Sequence, residues 1–175
     1  MRLPLTYLGN PTLRKKGAPV EKITDEIQKL IVDMVETMDL AQGIGLAAPQ
    51  VGKSIKLFVL RRYIIEEDGS WTISPEFKVY INPRIVNESQ ETDIQDEGCL
   101  SIPGLHLPVE RPLAIIVEAT DAEGNHFREE IEGYNARVIQ HENDHVNGIL
   151  FIDRVEQSIR DEAEPRLKEI ETLYN

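Results

Sequence analysis

His141-Glu142-Asn143-Asp144-His145 is an H-E-x-x-H pattern. On a helix, residues i and i+4 share a face with Cβ atoms roughly 5–6 Å apart, so both imidazoles can bind one metal ion. Glu142 would then stand beside a metal-bound water, whose pKa can fall from about 15.7 to near 7. It would accept that water's proton and pass it to a leaving group. The plainer reading is two solvated histidines on a surface helix. A catalytic site of this kind needs a third protein ligand. A metzincin places a histidine three residues after Gly148, but Phe151 stands there. Glu162, Glu164 and Glu169 are available downstream, in a segment that reads as a solvated helix. The other donor is the single cysteine, in Asp96-Glu97-Gly98-Cys99-Leu100-Ser101. A lone cysteine is more often buried filler than a ligand. Here Glu97 and Gly98 place it on a bend where backbone can come close to something.

Those side chains need a scaffold. Thr24 or Asp25 can cap a helix whose Ile27, Leu30, Ile31, Met34, Val35 and Met38 form one apolar stripe, ending before Gly43. Strand-like runs cover 56–60, 79–81, 113–120 and 126–131, with turns at Asp68-Gly69 and Glu123-Gly124-Asn125. A second helix fits 135–147 and carries the H-E-x-x-H, with Gly148 just past its end. The last 20 residues are helical in composition, and Pro165 must begin a helix or kink one. Helices and strands are segregated without βαβ alternation, so the class is α+β.

The chain's 175 residues suit a single domain, 1–175, with a core of its own. Nineteen Lys and Arg against 31 Asp and Glu give a charge of −12, which repels phosphate backbones and argues against direct nucleic-acid binding. One cysteine excludes an internal disulfide. No apolar stretch approaches the roughly 20 residues of a membrane span, and the N-terminus lacks the apolar core of a signal peptide. A cytoplasmic protein is the expectation.

Gly43-Ile44-Gly45-Leu46-Ala47-Ala48-Pro49-Gln50, Glu97-Gly98-Cys99-Leu100-Ser101 and Gln140-His141-Glu142-Asn143-Asp144-His145 together resemble, in order, the three signature motifs of the peptide deformylases. The likeness extends to Ile81-Asn82-Pro83 and Glu110-Arg111-Pro112, and runs from Leu13-Arg14 to about Asp153. It implies antiparallel or mixed sheets packed around a central helix bearing the H-E-x-x-H, with a C-terminal helix. It implies hydrolysis of the N-formyl group from the initiator methionine of new polypeptides, releasing formate. Cys99, His141 and His145 would be the metal ligands, leaving the fourth position to water, and Glu142 the general acid/base. Gln50 and the backbone N–H of Leu100 would stabilise the oxyanion. Gly45 and Gly98 would pair with the substrate as an added strand. Ile44, Tyr134 and Val138 would line the methionine pocket, although packing at the helix start explains the last two equally well. Arg111 would pair with Glu97 and hold the Cys99 loop; the alternative is a surface ion pair worth ~0–1 kcal/mol. The metal implied is Fe²⁺, with Zn²⁺, Ni²⁺ or Co²⁺ as substitutes.

The sequence also departs from the family. Val146 replaces a common Leu, a tolerable loss of one methylene. His106 stands where many members have a substrate-contacting Arg, a weaker clamp for a peptide carbonyl. Residues 61–78 read as an insertion without an assigned role. Three other functions compete: a zinc endopeptidase with a downstream Glu, a cysteine hydrolase with Cys99 as nucleophile, and a non-catalytic binder of formylated N-termini. The substrate implies work near the ribosome exit, with transient ribosome contact through residues 154–175 as one option. That segment's net negative charge fits a solvated helix packed through Leu167, Ile170 and Leu173 better.

Overall fold

A computed structural model describes residues 1–175. Three α-helices, α1 (Asp25–Leu40), α2 (Gly133–Val146) and α3 (Gln157–Tyr174), accompany seven strands. These are β1 (Gly45–Ala47), β2 (Leu57–Ile65), β3 (Trp71–Glu88), β4 (Thr92–Cys99), β5 (Ile102–Pro112), β6 (Ala114–Thr120) and β7 (His126–Glu132). One sheet has the order β1-β2-β3-β6-β7, and β4 and β5 form a separate ribbon; every strand pair is antiparallel. The α+β arrangement with a central motif-bearing helix and a C-terminal helix is therefore the fold.

The continuous apolar run at the start of β2 follows from burial on both faces. Leu57 and Val59, with Val79 and Ile81, point toward Ile31, Met34, Val35 and Met38 of α1. Phe58, Leu60 and Tyr80 point the other way, onto Val138, Ile139 and Val146 of α2. The strand's two-residue alternation thus splits the core into layers on either side of the sheet. Thr24 caps α1, its side chain accepting from the Ile27 N–H at 3.3 Å.

Three strands are absent from the sequence reading. β1 is three residues long, β4 is polar, and β5 carries Pro103 and Pro108. A two-stranded ribbon has free edges where proline needs no ladder partner, so its prolines mislead a propensity argument. Residues 61–78 are the outer part of the β2–β3 hairpin, turning at Asp68-Gly69 with Gly69 at φ 84°. α2 begins at Gly133, two residues before the expected start at Asn135, whose amide does not serve the helix end. Instead its Oδ1 accepts from the Tyr63 N–H at 2.9 Å and its Nδ2 donates to the Tyr63 carbonyl at 3.0 Å. That double bond ties the hairpin to the first turn of α2.

The C-terminal end of α2 is closed by the N-terminal segment, whose Gly17 N–H donates to the Val146 carbonyl at 2.8 Å. Gly148 follows at φ 76°, and a Cβ there would lie 2.6 Å from the Arg14 carbonyl oxygen. α3 packs Ala163, Leu167 and Ile170 on Phe151, Ile152 and the β5 residues Ile102 and Val109. Pro165 lies inside α3 rather than at its start, removing one N–H from the ladder. No helix is long and apolar enough to cross a membrane. Gly148→Ala combines left-handed strain with a backbone collision, and urea unfolding should register a loss of about 2 kcal/mol.

Candidate active site

Cys99 ends β4, and His141 and His145 lie one turn apart on α2. The ribbon crosses the helix there, bringing the three donor atoms within 4.8 Å of one another. Cys99 Sγ is 3.3 Å from His145 Nε2. No other group of three His, Cys, Asp or Glu side chains converges in this way, so Glu162, Glu164 and Glu169 do not complete a site with the histidines. The donor set suits a divalent ion: one thiolate and two imidazoles, with one side open to a cavity.

That cavity, of about 530 Å³, is lined by Ile44, Gly45, Gln50, Gly98, Cys99, Leu100, Tyr134, Val138, His141 and Glu142. His145 lies behind this wall, almost fully buried. His106 also lines the cavity, resting on Gly98, where a Cβ would be 2.5 Å from its Nε2. Gly45 makes a comparable clearance. A Cβ at that position would lie 2.7 Å from Glu142 Oε1, so the glycine makes room for the carboxyl group. Gln50 is fixed from both ends: its Oε1 accepts from the Ala47 N–H at 2.9 Å, and its Nε2 donates to Ser101 Oγ at 3.2 Å and Cys99 Sγ at 3.4 Å.

Behind the donors is a buried ionic cluster. Glu97 accepts from Arg111 Nε at 2.6 Å and Arg111 Nη2 at 2.9 Å, a two-pronged pairing. It also accepts from Arg137 Nη1 at 2.7 Å and His141 Nδ1 at 2.9 Å. A carboxylate can only accept, so the proton sits on Nδ1 and the lone pair of His141 Nε2 is left for a ligand role. Arg111 Nη1 reaches on to Asp144 at 2.9 Å, and Arg154 covers the same carboxylate. Arg111 is 3% exposed, which overturns the surface ion-pair alternative. The sequence reading missed Arg137, Asp144, Ser101 and the Glu97–His141 bond. The one available signal was Arg137 itself, a charge inside the apolar run Ala136-Arg137-Val138-Ile139.

Burial sets the charge states. It pushes the Glu142 carboxyl up to about 7, and Glu142 Oε2 has no hydrogen-bond partner among the protein atoms. Burial pushes the His145 imidazole well below its ordinary value, helped by the charges of His141 and Arg111. Burial alone would raise the Glu97 carboxyl, but hydrogen bonds from Arg111 and His141 hold it far below 4.5.

A cleft that leads from solvent to three converging donors, with a carboxyl group poised to exchange a proton near neutrality, defines a metal-dependent hydrolase. Known proteins narrow the class. The family model described as polypeptide deformylase matches residues 2–161. The chain is 43% identical over 173 residues to peptide deformylase 2 of Nostoc sp., covering 97% of this chain and 95% of that protein. It is 46% identical over 158 residues to the peptide deformylase of Rhizobium meliloti, covering 90% and 87%. The crystal structure of a peptide deformylase from Legionella pneumophila superposes with a TM-score of 0.84 at 38% identity, covering 99% and 97%. The chain belongs to the polypeptide deformylase family.

Removing the shared cation of the ionic cluster exposes two buried carboxylates to each other. Arg111→Ala should lower the unfolding free energy in urea by about 3–5 kcal/mol. The cluster also fixes an acid limit. Glu97 is charged more readily in the folded state, so its stabilisation is present above about pH 4.5 and lost as pH falls through its lowered value. Urea midpoints measured from pH 7 down to pH 3 should decline progressively below pH 4.5.

Proposed function

We propose that residues 1–175 act as one catalytic unit that removes the N-formyl group from the initiator methionine of newly made polypeptides, releasing formate. The observation that carries this reading is the convergence of Cys99, His141 and His145 beside the buried Glu142 at the head of an open cavity. An ion held by the Cys99 thiolate and the two imidazoles would supply Lewis acidity, polarising the formyl carbonyl and lowering the pKa of an attacking water. We assign Fe²⁺ to this role, with Zn²⁺, Ni²⁺ or Co²⁺ able to replace it. A thiolate ligand at an open site is oxidisable, so exposure to air should erode activity.

Glu142 takes a proton from the attacking water and returns it to the methionine nitrogen as the C–N bond breaks. The formyl carbon leaves as formate, and the nitrogen becomes a free amine. A carboxyl raised to about 7 is matched to both transfers at neutral pH. Gln50 Nε2 and the Leu100 N–H donate to the oxygen that gains charge during attack. The backbone at Gly45 and Gly98 pairs with the peptide backbone of the substrate as an added strand. Ile44, Tyr134 and Val138 receive the methionine side chain, an apolar pocket that selects the first residue while backbone pairing ignores the rest. Such a substrate places the protein in the cytoplasm near translating ribosomes. α3 turns its apolar stripe inward, and the acidic side chains it presents disfavour direct contact with ribosomal RNA.

The 3.3 Å approach of Cys99 Sγ to His145 Nε2 gives the cysteine-hydrolase alternative a geometric basis. Chelation separates the two. Strong chelators should abolish formate release from a formyl-Met peptide, and Fe²⁺ added without oxygen should restore it; activity that survives chelation would favour a thiol nucleophile. Glu142→Ala should cut kcat/KM by about 10²–10⁴-fold or more without changing metal content, whereas Cys99→Ala should lose the metal.

A further inference from the structure

Gln50 has more acceptors within reach than hydrogens to give. Its Oε1 accepts from the Ala47 N–H at 2.9 Å, and a backbone N–H can only donate, so the amide nitrogen must face Ser101 and Cys99. That nitrogen carries two hydrogens. Both already have acceptors inside the protein, Ser101 Oγ at 3.2 Å and Cys99 Sγ at 3.4 Å. The oxygen that gains charge during attack is a third acceptor, and one of the two existing bonds must be given up for it. Ser101 is the firmer hold of the two. It is fully buried and does not line the cavity, whereas Cys99 and Gln50 both do. The N–H groups of Thr6 and Leu8 donate to the carbonyls of Gln50 and Ser101 at 2.8 and 2.9 Å. One short stretch of chain thus fixes the backbones of both residues relative to each other.

We propose that Ser101 is a positioning residue: its hydroxyl keeps one Gln50 Nε2 hydrogen, while the other moves from Cys99 Sγ to the substrate oxygen as charge develops. The proposal rests on the deformylase reading. Pinned at both ends, the amide stays in one plane while that single hydrogen changes partner, which is the preorganisation an oxyanion donor needs. Without Ser101 Oγ the amide is held at Oε1 alone. Its nitrogen is then left with the thiolate, a charged and therefore strong acceptor that competes with the substrate oxygen.

The test uses the Co²⁺-loaded protein, whose sulfur-to-metal absorption band reports hydrogen bonding at Cys99 Sγ without turnover. Ser101→Ala should move that band to shorter wavelength, because a stronger hydrogen bond lowers the energy of the sulfur lone pairs. With formyl-Met-Ala-Ser the same variant should lower kcat about tenfold and leave KM within about twofold. Co²⁺ content should not change. In a Gln50→Ala background Ser101→Ala should lower kcat no further, since the pair acts as one unit. Ser101→Thr keeps the hydroxyl and should restore the band and most of kcat. Ser101→Gly, at a turn position, takes the place of the alanine variant if urea unfolding shows that variant to be destabilised. An unmoved band, or an unchanged kcat, would overturn the proposal. So would an equal loss of kcat with and without Gln50, or loss of Co²⁺, which would make Ser101 a support for the Cys99 loop. Wild-type protein that holds Co²⁺ yet releases no formate would instead strike the deformylase reading, and a band that Ser101→Ala then leaves in place would contradict the positioning role as well.

Discussion

Glu97 accepts hydrogen bonds from three side chains that arrive on different elements: Arg111 from β5, and Arg137 and His141 from α2. β4 and β5 form a ribbon that shares no ladder with the five-stranded sheet. Side-chain bonds therefore fix where the ribbon lies on α2: those of this carboxylate, with Arg137 to Asp93 and the Val109 carbonyl and Gln140 to the Pro112 carbonyl beside it. The register matters because Cys99 stands two residues beyond Glu97 on the same strand. Whatever holds Glu97 on the helix also holds Cys99 against His141 and His145.

Burying such a cluster is a poor route to stability, since desolvation offsets most of the attraction between the charges. Its value lies in geometry. Each charge has several partners, Glu97 with four donors and Asp144 with Arg111 and Arg154, so no single bond can lengthen without disturbing the others. The arrangement also orients a ring. With Nδ1 of His141 held by Glu97, the opposite nitrogen must face the donor cluster. Two glycines then open the remaining space, Gly45 for the Glu142 carboxyl and Gly98 for the His106 imidazole.

Much of this was legible in the residues. The stripe from Ile27 to Met38 packs as one face because helical periodicity is a strong signal. The H-E-x-x-H spacing brought two histidines to one side of α2, and the three motifs led to Cys99. The β4–β5 ribbon was hidden because β4 is almost wholly polar and Pro103 and Pro108 interrupt the alternation of Leu105, Leu107 and Val109 in β5. Arg137 and Asp144 were hidden for a related reason: their partners are distant in sequence, and only the folded chain brings Asp93, Glu97 and Arg137 together.

Through these bonds Glu97 positions Cys99, His141 and His145, the donors proposed to hold the metal. Competitive chelator titration of Glu97→Gln, which removes the charge and keeps the shape, measures that role, with circular dichroism used to confirm folding. A folded variant that binds the metal about 10–100-fold more weakly than the parent chain is the predicted result. Unchanged metal affinity in a folded variant would contradict it, leaving the cluster as a stabilising element with no part in preparing the site.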